Sequence, residues 1–237
     1  FRAPLNGFAL LVVDQDGNVD WVKEQPWLHM VHASDVGAVD VYESTETAVG
    51  SRLLNGLALS QMAAFQLKPS VAGYSLKAVG DAATNGAATM LATGATSTLA
   101  AGEHYLTVMS GGSIRTMLEQ FDLDKPTTVL LRGVHASAAI GATVDFGNAV
   151  AAVVAPVIIN NVAPGQSSAE AGTAVAAGDI SLGVATDGTT VNLVPAQAFT
   201  GVNAPVANER DFVLLVQNGA VGDLWLVNTS VAGWTIR

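Results

Sequence analysis

The tetrapeptide Val31-His32-Ala33-Ser34 returns as Val134-His135-Ala136-Ser137, and each copy is followed by a Val-Asp pair, Val39-Asp40 and Val144-Asp145. The histidines lie 103 positions apart and the aspartates 105, so a two-residue insertion separates the copies. A period of about 100 residues is a whole small domain, because solenoid units run roughly 20–50 residues. The spacing therefore predicts a first repeat at 27–122, a linker at 123–127 and a second repeat at 128–237, with residues 1–26 outside both. Tandem duplication is the strongest constraint on the fold.

Short β-branched runs alternate with Gly, Asn, Asp and Pro, the pattern of an all-β sandwich or barrel. Ile180 to Val184 and Thr189 to Val194 flank Asp187-Gly188, and Phe212 to Val216 and Leu224 to Val227 flank Asn218-Gly219. Both pairs read as hairpins, since these turn residues tolerate positive φ. Tyr74 to Val79 and Tyr105 to Met109 read as strands, and the Ala-rich tracts 82–101 and 169–178 lack a helical apolar stripe. Ahead of the repeats, Phe8 to Val13 is continuously apolar and is followed by Asp14-Gln15-Asp16-Gly17-Asn18, then Val19 to Val22. A run apolar on both faces suits a strand buried on both sides. The fold class expected is all-β: two tandem immunoglobulin-like β-sandwiches plus an N-terminal strand or hairpin.

Half of the residues are hydrophobic and 13% are charged, with a net charge of -10. That balance argues against nucleic acid, whose phosphates need clustered Lys and Arg. No Lys or Arg occurs between Gly133 and Glu209. Cysteine is absent, which removes disulfides, thiolate metal sites and thiol nucleophiles. The longest apolar stretch, Ala149 to Ile159, is interrupted by Pro156 and falls short of the roughly 18–20 residues of a membrane-spanning helix. The start at Phe1 without Met reads as maturation after loss of a signal peptide, and so as an extracellular or cell-surface protein.

These motifs resemble the bacterial domain-of-unknown-function family 4397. The matching residues are Val-His-Ala-Ser, Val39-Asp40-Val41-Tyr42, Gly73-Tyr74-Ser75-Leu76 and Ala101-Gly102-Glu103-His104-Tyr105. The second repeat keeps the opening and a version of the last strand at Arg210-Asp211-Phe212. The loop after the first motif lacks the prolines usual in the family. The resemblance implies exported sandwich domains, often in tandem on bacterial surfaces, with no assigned activity.

His32 and His135 are the obvious candidates for chemistry, with Asp40 and Asp145 at matching positions allowing a His–Asp hydrogen bond in each repeat. Recurrence in both copies favours a fold-maintaining role, in which a satisfied polar residue fixes the loop between two strands. A Gly-x-Ser-x-Gly nucleophile turn is absent, Ser34 and Ser137 read as loop residues, and an enzyme is not expected. Asp14, Asp16, Asn18 and Asp20 alternate like the opening of a calcium loop, but Gln25 stands where the bidentate Glu belongs. A hairpin turn is the plainer expectation there, and no cofactor is implied. Asn228-Thr229-Ser230 is one glycosylation sequon. Trp21, Trp27, Trp225 and Trp234 sit near the outer limits of the repeats and suit burial at junctions better than sugar stacking.

The sequence thus points to a non-enzymatic surface protein whose partners are copies of itself. Phe8, Leu10, Leu11, Val12 and Val13 are the expected subunit contacts, as a strand donated to a neighbouring sheet to build a filament or layer. An adhesin or a module binding surface polysaccharide is the alternative.

Overall fold

A computed structural model describes residues 9–44, 49–80, 90–121, 127–169, 171–218, 221–230 and 234–237. The expected linker and Phe8 lie outside them, except for Thr127. The all-β expectation holds, with one turn of 3-10 helix at Gly201–Asn203 and no α-helix among the described residues.

Two strands precede the repeats: β1 (Ala9–Val13) and β2 (Val19–Lys23), paired antiparallel from Ala9↔Lys23 to Val13↔Val19. The first repeat contains β3 (Trp27–His32), β4 (Val39–Ser44), β5 (Val49–Leu57), β6 (Met62–Gln66), β7 (Ser75–Gly80), β8 (Met90–Ala95), β9 (His104–Ser110) and β10 (Ser113–Leu118). The second contains β11 (Val129–His135), β12 (Val144–Val150), β13 (Val153–Val162), β14 (Thr173–Val175), β15 (Ile180–Thr186), β16 (Gln197–Phe199), β17 (Arg210–Asn218) and β18 (Val221–Asn228). A short β19 (Thr235–Ile236) closes the chain.

Pairing repeats strand for strand. β3 lies between antiparallel β6 and parallel β9, and β11 lies between antiparallel β14 and parallel β17. β4 lies between β5 and β7, and β12 between β13 and β15, all antiparallel. β7 then pairs β8 and β15 pairs β16, while β9 pairs β10 and β17 pairs β18. One pair, Ser113↔Thr93, joins the first repeat's two sheets at their margin, and β19 extends the second repeat along β18. The doubled motif therefore marks a doubled topology.

Each repeat has its own core between an outer and an inner sheet. Leu28, Met30, Val41, Leu76, Tyr105 and Met109 fill the first, and Leu131, Phe146, Val184, Val213 and Leu226 the second. A third core joins the inner sheets back to back: Val31, Ala33, Leu106 and Val108 meet Leu130, Val134, Phe212, Leu214 and Trp234. The same face of each inner sheet is used. Val31 and Val134 are equivalent, and the parallel registers Val31↔Val108 and Val134↔Leu214 make Val108 and Leu214 equivalent too. Strands β9 and β11 are consequently buried at every residue, since one side faces their own sandwich and the other faces the neighbouring repeat. That arrangement removes both inner faces from water, a large apolar gain at about 25 cal/mol per Å².

Two local expectations are corrected. Segment 189–194 does not form a two-residue hairpin with β15. It makes isolated bridges, Ala185↔Asn192 and Val153↔Val191, and the Asn192 side chain accepts the Val184 N–H. The apolar run ending at Val13 is not buried on both sides either: Leu10, Leu11, Val12 and Val13 are all exposed. Among the described residues it pairs with β2 alone in a two-stranded sheet, which satisfies one edge. The other hairpin forms with its last pair at Asn218↔Val221.

Candidate functional site

His32 and His135 end β3 and β11 and are wholly buried. The His32 Nε2 lies 3.0 Å from the Gly37 carbonyl oxygen and the His135 Nε2 lies 3.1 Å from that of Ala142. A carbonyl only accepts, so Nε2 carries the proton in both rings. The partner is five residues on in the first repeat and seven in the second, which places the two-residue insertion inside this loop. The His32 Nδ1 accepts the Ser34 N–H at 3.3 Å, whereas the His135 Nδ1 is buried without a partner. Burial holds both imidazoles below their ordinary pKa, keeping them neutral.

The aspartates do something separate. Asp40 Oδ1 accepts the Gly56 N–H at 2.8 Å, and Asp145 Oδ1 accepts the Asn161 N–H at 2.8 Å, each from a residue sixteen positions on. Gly56 and Asn161 have φ of 64° and 58° and sit where the pairing of β4 with β5, and of β12 with β13, shifts register. Each carboxylate therefore holds a bulge in the outer sheet, at a backbone conformation that Gly and Asn adopt most readily. The expected His–Asp hydrogen bond does not form, because each side chain is bound to its own loop or bulge. Arg52, exposed, reaches Asp40 at 3.3 Å in the first repeat only.

Two buried clusters escaped sequence reading. At the junction of the repeats, His29 stacks on Trp234 with centroids 3.9 Å apart, and its Nε2 lies 3.2 Å from His104 Nδ1. Glu24 accepts the Trp27 Nε1–H at 3.1 Å, and its other oxygen stands 4.0 Å from His104 Nε2. Desolvation, with the neighbouring imidazole, pushes His29 down to about 3 and desolvation lowers His104. In the second repeat, Arg237 makes paired contacts with Glu209 at 2.6 and 3.0 Å, while the Asp211 carboxyl is fully buried with no hydrogen-bond partner and lies 3.9 Å from Arg237. Burial pushes Asp211 up to about 7, with Arg237 opposing and Glu209 reinforcing the shift. The only local signals were an apolar strand bearing an acid and an aromatic tail, and neither names its partner.

Asn228 of the sequon is buried, and its Nδ2 donates to Glu209 Oε1 at 2.6 Å, so the folded chain does not present it to a glycosylating enzyme. Trp234 is buried and Trp225 is partly buried against the third core, its Nε1 donating to Asp223. Among the described residues, no three His, Asp or Glu side chains come together as metal ligands. Among the described residues, no helix is long and apolar enough to cross a membrane. An open groove of about 410 Å³ lies where the two motif loops converge. Ser34, Asp35 and Val36 face Ala138 and Ala139, with Gly111, Gly112 and Gln217 between them.

Among the described residues, the β1–β2 hairpin is an exposed apolar element. Leu10, Leu11, Val12, Val13, Val19 and Val22 range from 40% to 59% accessible and occupy both faces of the ribbon. Its loop is closed tightly: Asp14 Oδ1 accepts the N–H groups of Asp16 and Asn18 at 2.9 Å, and Oδ2 accepts Asn18 Nδ2 at 2.8 Å. Gly17, with φ of 80°, completes the turn. These bonds account for the Asp and Asn spacing that resembled a calcium loop, and Asp20 pairs across the ribbon with Val12. The ribbon is rooted in the first repeat, where Glu24 O accepts the Gly102 N–H at 2.8 Å and the Trp27 N–H reaches Glu103 O at 3.0 Å.

No family model matches the chain, and no curated protein matches it either.

Proposed function

We propose that this chain is a self-assembling structural protein of the bacterial cell surface, of the exported kind that the Val-His-Ala-Ser resemblance implies, whose subunits join through the β1–β2 hairpin. The carrying observation is an apolar two-stranded ribbon whose strands, among the described residues, pair only with each other and whose Leu10, Leu11, Val12, Val13, Val19 and Val22 side chains are exposed. A lone hairpin is marginal in water, and exposed apolar patches of this kind mark interaction surfaces. Addition to a neighbour's sheet pairs the open edge and buries the side chains. A ribbon and an acceptor on different parts of one chain form a heterologous contact, which propagates as a filament or layer.

Sedimentation velocity of the full chain against a chain lacking residues 1–22 tests this reading. The full chain sediments as a polydisperse series that grows with concentration, and the truncated chain as a monomer with an unchanged melting temperature. Equal assembly by the truncated chain would refute it. The groove between the motif loops favours a second reading, a module binding surface polysaccharide. That reading requires retention on a glycan array that is lost with Asp35→Ala and Gln217→Ala while assembly is untouched.

A further inference from the structure

We infer that the acceptor for the hairpin is the free edge of β13, with the apolar patch beside it, in a second copy of this chain. The inference rests on the assembly reading above and names its other half. Strand β13 is the longest of the described strands and ends the order of its sheet. Segment 190–192 takes up its outer edge at residues 152–154, through the Val154 N–H to Thr190 O and the Asn192 N–H to Ala152 O, and among the described residues the edge from Ala155 onward pairs only with β12. Val150 pairs with Val153, and Val153 bridges Val191, so these three form one contiguous patch, 74%, 48% and 65% accessible. Val157 continues it along the strand. Residues 146–169 contain no charged side chain.

The duplicated topology supplies the control. Strand β5 is the counterpart of β13, and the register pairs Tyr42↔Arg52 and Gly147↔Val157 make Arg52 the counterpart of Val157. Where the first repeat places an exposed arginine bonded to Asp40, the second places an exposed valine. Charges and prolines are how natural sheets guard their edges. The first repeat guards this edge with a charge, and the second keeps only Pro156, which removes one donor. Strand β1, Ala-Leu-Leu-Val-Val, is likewise uncharged, so no charge is desolvated when the two edges meet. The hairpin roots in the inner sheet of the first repeat and β13 borders the outer sheet of the second, so each surface finds its complement on another copy.

The test uses a full-length double lysine variant, one truncation and three full-length cysteine variants. Val153→Lys with Val191→Lys changes only exposed side chains and retains the hairpin. The chain lacking residues 1–22 retains the acceptor. Each alone is monomeric, with assembly reduced at least tenfold in critical concentration terms, and their mixture gives dimers that do not extend. Because the chain has no cysteine, mixing a Leu11→Cys chain with a Val153→Cys chain gives intermolecular disulfide dimers under mild oxidation. The yield exceeds that of a Val71→Cys control, a side chain 91% exposed on the first repeat, by at least fivefold. If the lysine variant assembles like the parent while the truncated chain does not, or if cross-linking only matches the control, the acceptor assignment is overturned and hairpin-driven assembly stands. Assembly of the truncated chain overturns both.

Discussion

The two repeats share the pairings of six strand pairs and contrast at two equivalent places. On the outer edge, Arg52 of the first repeat is Val157 of the second. On the inner sheet, Tyr105, whose hydroxyl accepts the Ala100 N–H, is replaced by Asp211, a buried carboxyl with no hydrogen bond. The second repeat carries exposed valines along its outer edge and, inside, a buried acid with no hydrogen bond that Arg237 faces at 3.9 Å.

The largest expected effect concerns that acid. Asp211 is held near 7 in the fold against an ordinary value of 3.8. The folded state therefore keeps a proton that the unfolded chain releases. Stability from this group is complete below the unfolded value and is lost as pH rises through about 7. Asp211→Asn should leave stability unchanged at pH 3.5 and raise it at pH 8 by up to about 4 kcal/mol, measured by urea unfolding. The buried histidines run the other way. Lowered by burial, His29, His32, His104 and His135 contribute stability above their ordinary 6.5 that falls away on acidification. The variant-minus-parent difference isolates the aspartate.

Next come the bulge carboxylates. Asp40→Ala and Asp145→Ala should each cost about 1–3 kcal/mol, the penalty of a buried N–H left unpaired. The Asp40 loss is expected to be larger, since Arg52 and the Tyr42 hydroxyl also turn to that carboxylate. Smaller still, Gly56→Ala should destabilise by about 1–2 kcal/mol and Asn161→Gly by well under that, because a Cβ is costly at positive φ and Asn already tolerates it. Thermal melts that ranked these two in reverse would break the equivalence of the bulges. Smallest in stability is the edge exchange. Arg52→Val and Val157→Arg should each shift unfolding by less than about 1 kcal/mol, yet Val157→Arg should suppress assembly.

The fold class, the duplication and the hairpin at residues 9–23 were legible because each rests on local chemistry: alternation, turn residues and a repeated tetrapeptide. The third core was not. Which face of β3 or β11 meets the other repeat is a tertiary choice, and Arg132, sitting beside Phe121 and Phe212 in that core, reads locally as a solvent residue. The His29–Trp234 stack joins positions 205 apart, and no spacing rule announces it. The bulge was readable in part. Gly56 and Asn161 keep the same distance from their aspartates, and both residue types favour positive φ, but the motif drew attention to the histidine and away from that pair. The continuous apolar run at the N-terminus resembled a buried strand because periodicity alone does not distinguish burial in the chain from burial against another molecule.

Hydrogen exchange on the full chain, followed residue by residue from dilute to concentrated solution, tests the central claim most directly. The account predicts that amides of Ala9–Val13 exchange rapidly in dilute protein and gain at least a hundredfold protection on concentration. Amides of β9, already buried on both sides, should not change. Rapid exchange in β1 at every concentration, in material that nonetheless assembles, would contradict it.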